Sequence, residues 1–93
     1  MQPLSPQAIE QLLDSLPGWS LVDEALVKGF TFSDFSEALA FIVRVGIEAE
    51  KAVHHPDLRN VYNRVEIRLS THDAGNRVTQ KDAVLAKNIE RLV

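Results

Sequence analysis

The sequence contains no cysteine. Disulfides and thiolate metal sites are therefore excluded. Positive charge is also short: 10 Lys and Arg stand against 13 Asp and Glu, a net charge of −3. That balance argues against binding to a nucleic-acid phosphate backbone, which needs a basic surface. Nothing approaches the ~18 consecutive apolar residues of a membrane span. The start, "MQPLSPQ", has neither the basic segment nor the apolar stretch of a signal peptide, so a cytoplasmic location is expected. Repeats, low-complexity segments and linkers are missing too, and residues 1–93 read as one domain. Trp19 and Tyr62 are the sole residues of their types, and both read more readily as packing residues than as ligand platforms.

What is present is ordinary for a globular protein: 45% hydrophobic and 25% charged residues. A chain this short buries only ~60–65% of its unfolded surface, so its stability margin is thin and self-association would help it.

The pattern of the chain predicts seven elements. "LSPQAIEQLLDSLPG" predicts a helix capped by Ser5, with Pro6 at its first position. Its apolar face is Ile9, Leu12, Leu13 and Leu16, and Pro17-Gly18 stops it. "WSLVDEALVKGFTF" predicts two strands around a turn near Asp23-Glu24, with Leu26, Lys28, Phe30 and Phe32 on one face. A long helix follows, capped by Ser33 or Asp34 and running to about Ala52. The expected buried stripe is Phe35, Ala38, Leu39, Ile42, Val45, Gly46 and Ala49. Pro56 biases His55 away from helical angles and ends it. "LRNVYNRVEIRLST" predicts a hairpin turning at Asn63-Arg64. Val65, Ile67, Leu69 and Thr71 then form one face, and Glu66, Arg68, Ser70 and His72 the other. "HDAGNR" is a loop. "TQKDAVLAKNIERLV" predicts a last helix, with Thr79 and Asp82 approximating a capping box and Leu85, Ala86, Ile89 and Leu92 facing inward. The expected fold is α+β: order α-β-β-α-β-β-α, a four-stranded antiparallel sheet with three helices on one face.

All three histidines fall in residues 54–72. His54 and His55 lie between the long helix and the second hairpin, and His72 lies where the last strand ends. Both are element ends, where a rigid scaffold displays functional groups. Glu50 sits one helical turn before His54, and Asp82 sits in the first turn of the last helix. Imidazole exchanges protons near neutral pH, and a neighbouring carboxylate fixes its tautomer. Three histidines with two carboxylates suit metal-free general acid–base chemistry. Plainer explanations fit the same residues: HHP as turn residues, Glu50-Lys51 as a solvated helix end, Asp82 as a helix cap, His72 as an exposed strand end. Three histidines and water would also make an open zinc site. Adjacent histidines usually point apart, however, and no HxH or HxxxH spacing occurs, so no metal is expected.

"EKAVHHPDLRNVYNRVEIRLSTHDAG" followed by "TQKD" resembles the pterin-4a-carbinolamine dehydratase family, whose pattern is roughly E-K-x-x-H-H-P, N-V-Y-x-x-V, T-H-x-x-G-G and T-x-x-D. The upstream "GWSL" and "FTFSDFSEALAFI" are similar as well, so the resemblance runs from about Gly18 to the C-terminus. It implies a hydro-lyase that dehydrates 4a-hydroxytetrahydropterin to quinonoid dihydropterin, recycling the pterin used by aromatic amino acid hydroxylases. It implies no metal or organic cofactor, a four-stranded sheet with three helices, and a homodimer or homotetramer. By resemblance, His54 and His72 transfer protons near the 4a position and His55 is a third active-site histidine, while Glu50 and Asp82 orient imidazoles or substrate. Some relatives act instead as dimerisation cofactors or assembly chaperones, so a non-catalytic binding protein is the alternative. Two departures stand out: Gly75-Asn76 replaces Gly-Gly, and one extra residue before Thr79 moves Asp82 a place further from His72.

Overall fold

The computed structural model describes residues 1–93. Helix α1 spans Pro6–Asp14, strand β1 Ser20–Val22, β2 Ala25–Thr31, helix α2 Phe35–Ala52, β3 Asp57–Val61, β4 Arg64–Leu69 and helix α3 Gln80–Glu90, with a 3₁₀ turn at His72–Ala74. The four strands form one antiparallel sheet in the order β1-β2-β4-β3. This is the expected α+β architecture. The two hairpins place β2 and β4 at its centre.

Local chemistry explains the boundaries. The Ser5 side chain accepts from Ala8 N at the start of α1, and Asp34, rather than Ser33, accepts from Glu37 N at the start of α2. Asp23 and Glu24 both hold positive φ, 48° and 67°, the left-handed pair that matches a two-residue hairpin to the twist of its strands. The second hairpin turns at Tyr62-Asn63, one residue earlier than the pattern predicted, because Val61 pairs with Arg64. Asn63 Nδ2 donates to Phe32 O at 2.9 Å and Phe32 N donates to Asn63 O at 2.8 Å. Those bonds tie the turn to the end of β2.

Leu26, Phe30, Val65, Ile67 and Leu69 send side chains from the sheet into a core closed by Val45, Leu85, Ala86 and Ile89 of the helices. Phe41 stacks obliquely on Phe30 and Phe32, with centroids 4.8 and 4.9 Å apart. Lys28 lies on the same inner face and is satisfied at its edge: Nζ donates to Glu90 Oε2 at 2.8 Å and to Pro17 O at 3.0 Å.

The long helix departs from expectation. Its buried line is Ala38, Phe41, Val45 and Ala49. Phe35 and Leu39, expected inside, are about half exposed and continue into Val43 and Ile47, which are equally open. The helix therefore carries two apolar stripes roughly 130° apart at 3.6 residues per turn, and only one meets the sheet. The polar strand pattern also ends early. The last strand stops at Leu69, so Ser70 and His72 leave the sheet face instead of continuing it. No helix is long and apolar enough to cross a membrane.

Candidate active site

The C-terminus of α2 decides where the adjacent histidines go. Val53 caps the helix in the left-handed region at φ 49°, its N–H reaching Ala49 O and Glu50 O. His54 N then donates to Ala49 O at 3.1 Å, the six-to-one bond of a helix-ending Schellman turn. That reversal separates the two rings. His54 is turned inward and only 8% exposed. The His55 side chain is 62% exposed and pairs with Glu50, itself 81% exposed.

Asp82 is fully buried in the first turn of α3. It reaches His54 with the extra loop residue in place. Its Oδ1 accepts from His54 Nε2 at 2.5 Å. Its Oδ2 accepts from Thr71 Oγ1 and from Thr79 N, both at 2.8 Å. The Thr79 N bond is half of the expected capping box. One carboxylate thus serves two purposes: it closes the start of a helix and holds an imidazole. Glu50 meets His55 instead, Oε1 to Nε2 at 2.8 Å.

The third histidine arrives on a closed loop. Thr71 N donates to Arg77 O at 2.8 Å, and Ala74 N and Asn76 N both donate to Thr71 O. Gly75 and Asn76 take successive left-handed angles, φ 73° and 60°. Asn is among the few residues that enter this region readily, so the turn survives without its second glycine. His72 Nδ1 lies 3.3 Å from Asn76 Oδ1.

The two turns face each other across a cavity of about 290 Å³, bordered by His54, His55, His72, Val53, Thr71 and Lys81, with Ser70 and Asp73 completing its rim. That volume lies near the lower end of the ~300–1,000 Å³ typical of small-molecule sites. Asp82 sits behind the cavity wall and Glu50 beside it; neither lines it. No three His, Asp or Glu side chains converge as metal ligands. A larger depression of about 670 Å³ crosses the outer sheet face beside Arg59, Tyr62, Arg64 and Glu66. It holds no histidine, and the groups able to move a proton near neutral pH gather in the smaller cavity. Ser70, Thr71, Asp73 and Lys81 also border the cavity, and the sequence pattern does not single them out as site residues. Spacing gave no sign of them, because they meet the histidines only after the loop closes.

The model for pterin 4 alpha carbinolamine dehydratases matches residues 2–92. The chain belongs to the pterin-4a-carbinolamine dehydratase family. Among family members, a protein of Opitutus terrae is 47% identical over 89 residues, 96% of this chain and 92% of its own length. One from Thermosynechococcus vestitus is 51% identical over 89 residues, covering 96% and 93%. Both bear names marking them as candidate pterin-4-alpha-carbinolamine dehydratases. A solved family structure, described as a transcriptional coactivator/pterin dehydratase from Brucella melitensis, superimposes with a TM-score of 0.92 at 38% identity over 97% of each chain. A pterin dehydratase-like protein described as a RuBisCO assembly factor shares the fold at a TM-score of 0.65 and 19% identity, covering 80% of this chain and 84% of its own.

Proposed function

We propose that the protein dehydrates 4a-hydroxytetrahydropterin to quinonoid dihydropterin by imidazole acid–base catalysis. The observation that carries this reading is the meeting of three histidines, from two turns separated in sequence, around one cavity. Family membership supplies the substrate class. The reaction is redox-neutral. The C4a–O bond breaks as the oxygen takes a proton and leaves as water. N5 gives up its hydrogen as the C4a=N5 double bond forms. An acid and a base on opposite sides of the reacting bond suffice, each worth ~10²–10⁴-fold in rate. His54 and His72 take these roles. His55, at the rim, positions the substrate. Asp82 and Glu50 each hold one imidazole. The product feeds the recycling of the pterin used by aromatic amino acid hydroxylases.

The test generates the 4a-hydroxypterin in a stopped-flow instrument and follows its loss. The expected result is acceleration over the spontaneous reaction, with His54→Ala at least ~10-fold slower. Loss at the spontaneous rate in the presence of the protein rejects the proposal.

The exposed stripe Phe35, Leu39, Val43 and Ile47 supports a homodimer or homotetramer, since contiguous apolar surface on a small protein marks an association site. The same stripe favours a second reading, a binding protein that docks another chain. A stoichiometric partner that is neither a hydroxylase nor this chain would raise it.

A further inference from the structure

The hydrogen bonds around Asp82 assign a direction to every proton in the buried half of the site. An ionised carboxylate only accepts. The Thr71 hydroxyl therefore donates to Asp82 Oδ2, and the Thr79 hydroxyl, 2.6 Å away, donates to Thr71 Oγ1. Thr79 Oγ1 in turn accepts from Lys81 N at 3.3 Å. By the same rule His54 Nε2 carries the hydrogen it gives to Asp82 Oδ1. A neutral imidazole has one N–H, so Nδ1 is left with the lone pair. Nδ1 has no partner in the protein, yet no buried side-chain nitrogen or oxygen is unpartnered. It is accordingly open to solvent, and His54 borders the cavity.

We infer that Nδ1 is the atom through which His54 exchanges protons, and that Thr71 is a positioning residue serving both catalytic turns. Its backbone N–H and C=O close the loop that carries His72. Its hydroxyl holds the carboxylate that fixes His54. One residue thereby registers two imidazoles brought from opposite sides of the cavity, by two chemically separable contacts. The tautomer assignment is that of the neutral ring beside an ionised Asp82 and rests on their hydrogen-bond geometry; its catalytic meaning rests on the dehydratase reading above.

Thr71→Val keeps the branched shape and the backbone contacts and removes only the hydroxyl. It leaves Asp82 Oδ2 one donor short and the Thr79 hydroxyl without its acceptor. Two-bond ¹H–¹⁵N spectra of the imidazoles, recorded beside dehydration kinetics, test the inference. In the wild type His54 is expected as the Nε2–H tautomer. In Thr71→Val its signals are expected to shift toward a mixture of tautomers while those of His72 stay in place. The kcat is expected to fall ~10–100-fold, the range seen when outer partners of carboxylate–histidine pairs are removed from metal sites, with KM nearly unchanged. Thr71→Ser restores both readouts. Should Thr71→Val fail to fold, Thr71→Ala, where water can enter the gap, carries the same comparison. A wild-type His54 protonated at Nδ1 overturns the assignment of the reactive nitrogen. Equal disturbance of His54 and His72, or unchanged spectra and kcat in a folded variant, overturns the positioning role. Wild-type protein without turnover would count against the dehydratase reading only, and the spectra would still decide the tautomer.

Discussion

Replacing Asp82 with alanine removes the acceptor on which three donors converge: His54 Nε2–H, the Thr71 hydroxyl and Thr79 N–H. A buried donor left without a partner costs ~1–3 kcal/mol. Three such losses sum to ~3–9 kcal/mol before relaxation. The adjoining cavity lets water reach the His54 side, so the lower end applies and a loss of about 3 kcal/mol is expected. Against the ~5–14 kcal/mol that a domain of this length holds, that is a large fraction. Glu50→Ala is the matched control. It also deletes a carboxylate bonded to a histidine, but both partners are largely exposed, and its cost should stay within ~0.5 kcal/mol. Urea unfolding followed by far-UV circular dichroism separates the two. With m near ~1–1.5 kcal/mol/M, the Asp82→Ala midpoint falls by about 2–3 M and the Glu50→Ala midpoint barely moves. If Asp82→Ala costs less than ~1 kcal/mol, or if the two variants fall together, the contrast between a buried structural carboxylate and an exposed rim carboxylate is wrong.

Val53→Gly should stabilise the monomer by ~0.5–1 kcal/mol, seen as a higher melting temperature. Val53 is branched, 76% exposed and held at φ 49°, where glycine avoids a steric cost of ~1–2 kcal/mol and gives back part of it in unfolded-chain entropy; a lower melting temperature would contradict the reading of that turn. Ile67→Ala, at a fully buried position, should cost ~2–5 kcal/mol in chemical denaturation, and a cost under ~1 kcal/mol would place the core elsewhere. If the proposed homo-oligomer forms through the outer stripe of α2, Leu39→Glu should shift sedimentation toward the monomer while leaving the far-UV spectrum intact, because Leu39 lies outside the core; a wild-type monomer, or an oligomer unchanged by the substitution, would count against that interface.

The legible parts of this protein were those set by contacts close in sequence. Ser5 with Pro6, Thr79 with Asp82, and Val65-Ile67-Leu69 each state their local structure within a few residues. The stripe on α2 was harder to read. Both of its apolar rows satisfy helical spacing, and the choice of Phe41 over Leu39 as the buried residue depends on which row faces Phe30 and Phe32. Likewise the turn at Tyr62-Asn63 is fixed by Asn63 bonding Phe32, 31 residues away. The histidines could be placed at element ends, but not assigned to separate carboxylates, since that depends on the left-handed Val53 turning one ring inward and leaving the other outside.

By itself, the sequence determined the order of elements, the α+β class, the caps and a family pattern dense enough to single out three histidines and two acids. The elements, class and caps follow from side-chain periodicity and steric preference, which act over a few residues. The choice of the histidines and acids comes instead from resemblance to the family pattern. Only the tertiary structure decided that Asp82 bonds His54 while Glu50 bonds His55, that Thr71 bonds both Asp82 and the His72 loop, and that one apolar row of α2 remains exposed. Those outcomes depend on which surfaces meet when helix packs on sheet, and that competition is settled by burial across the whole chain.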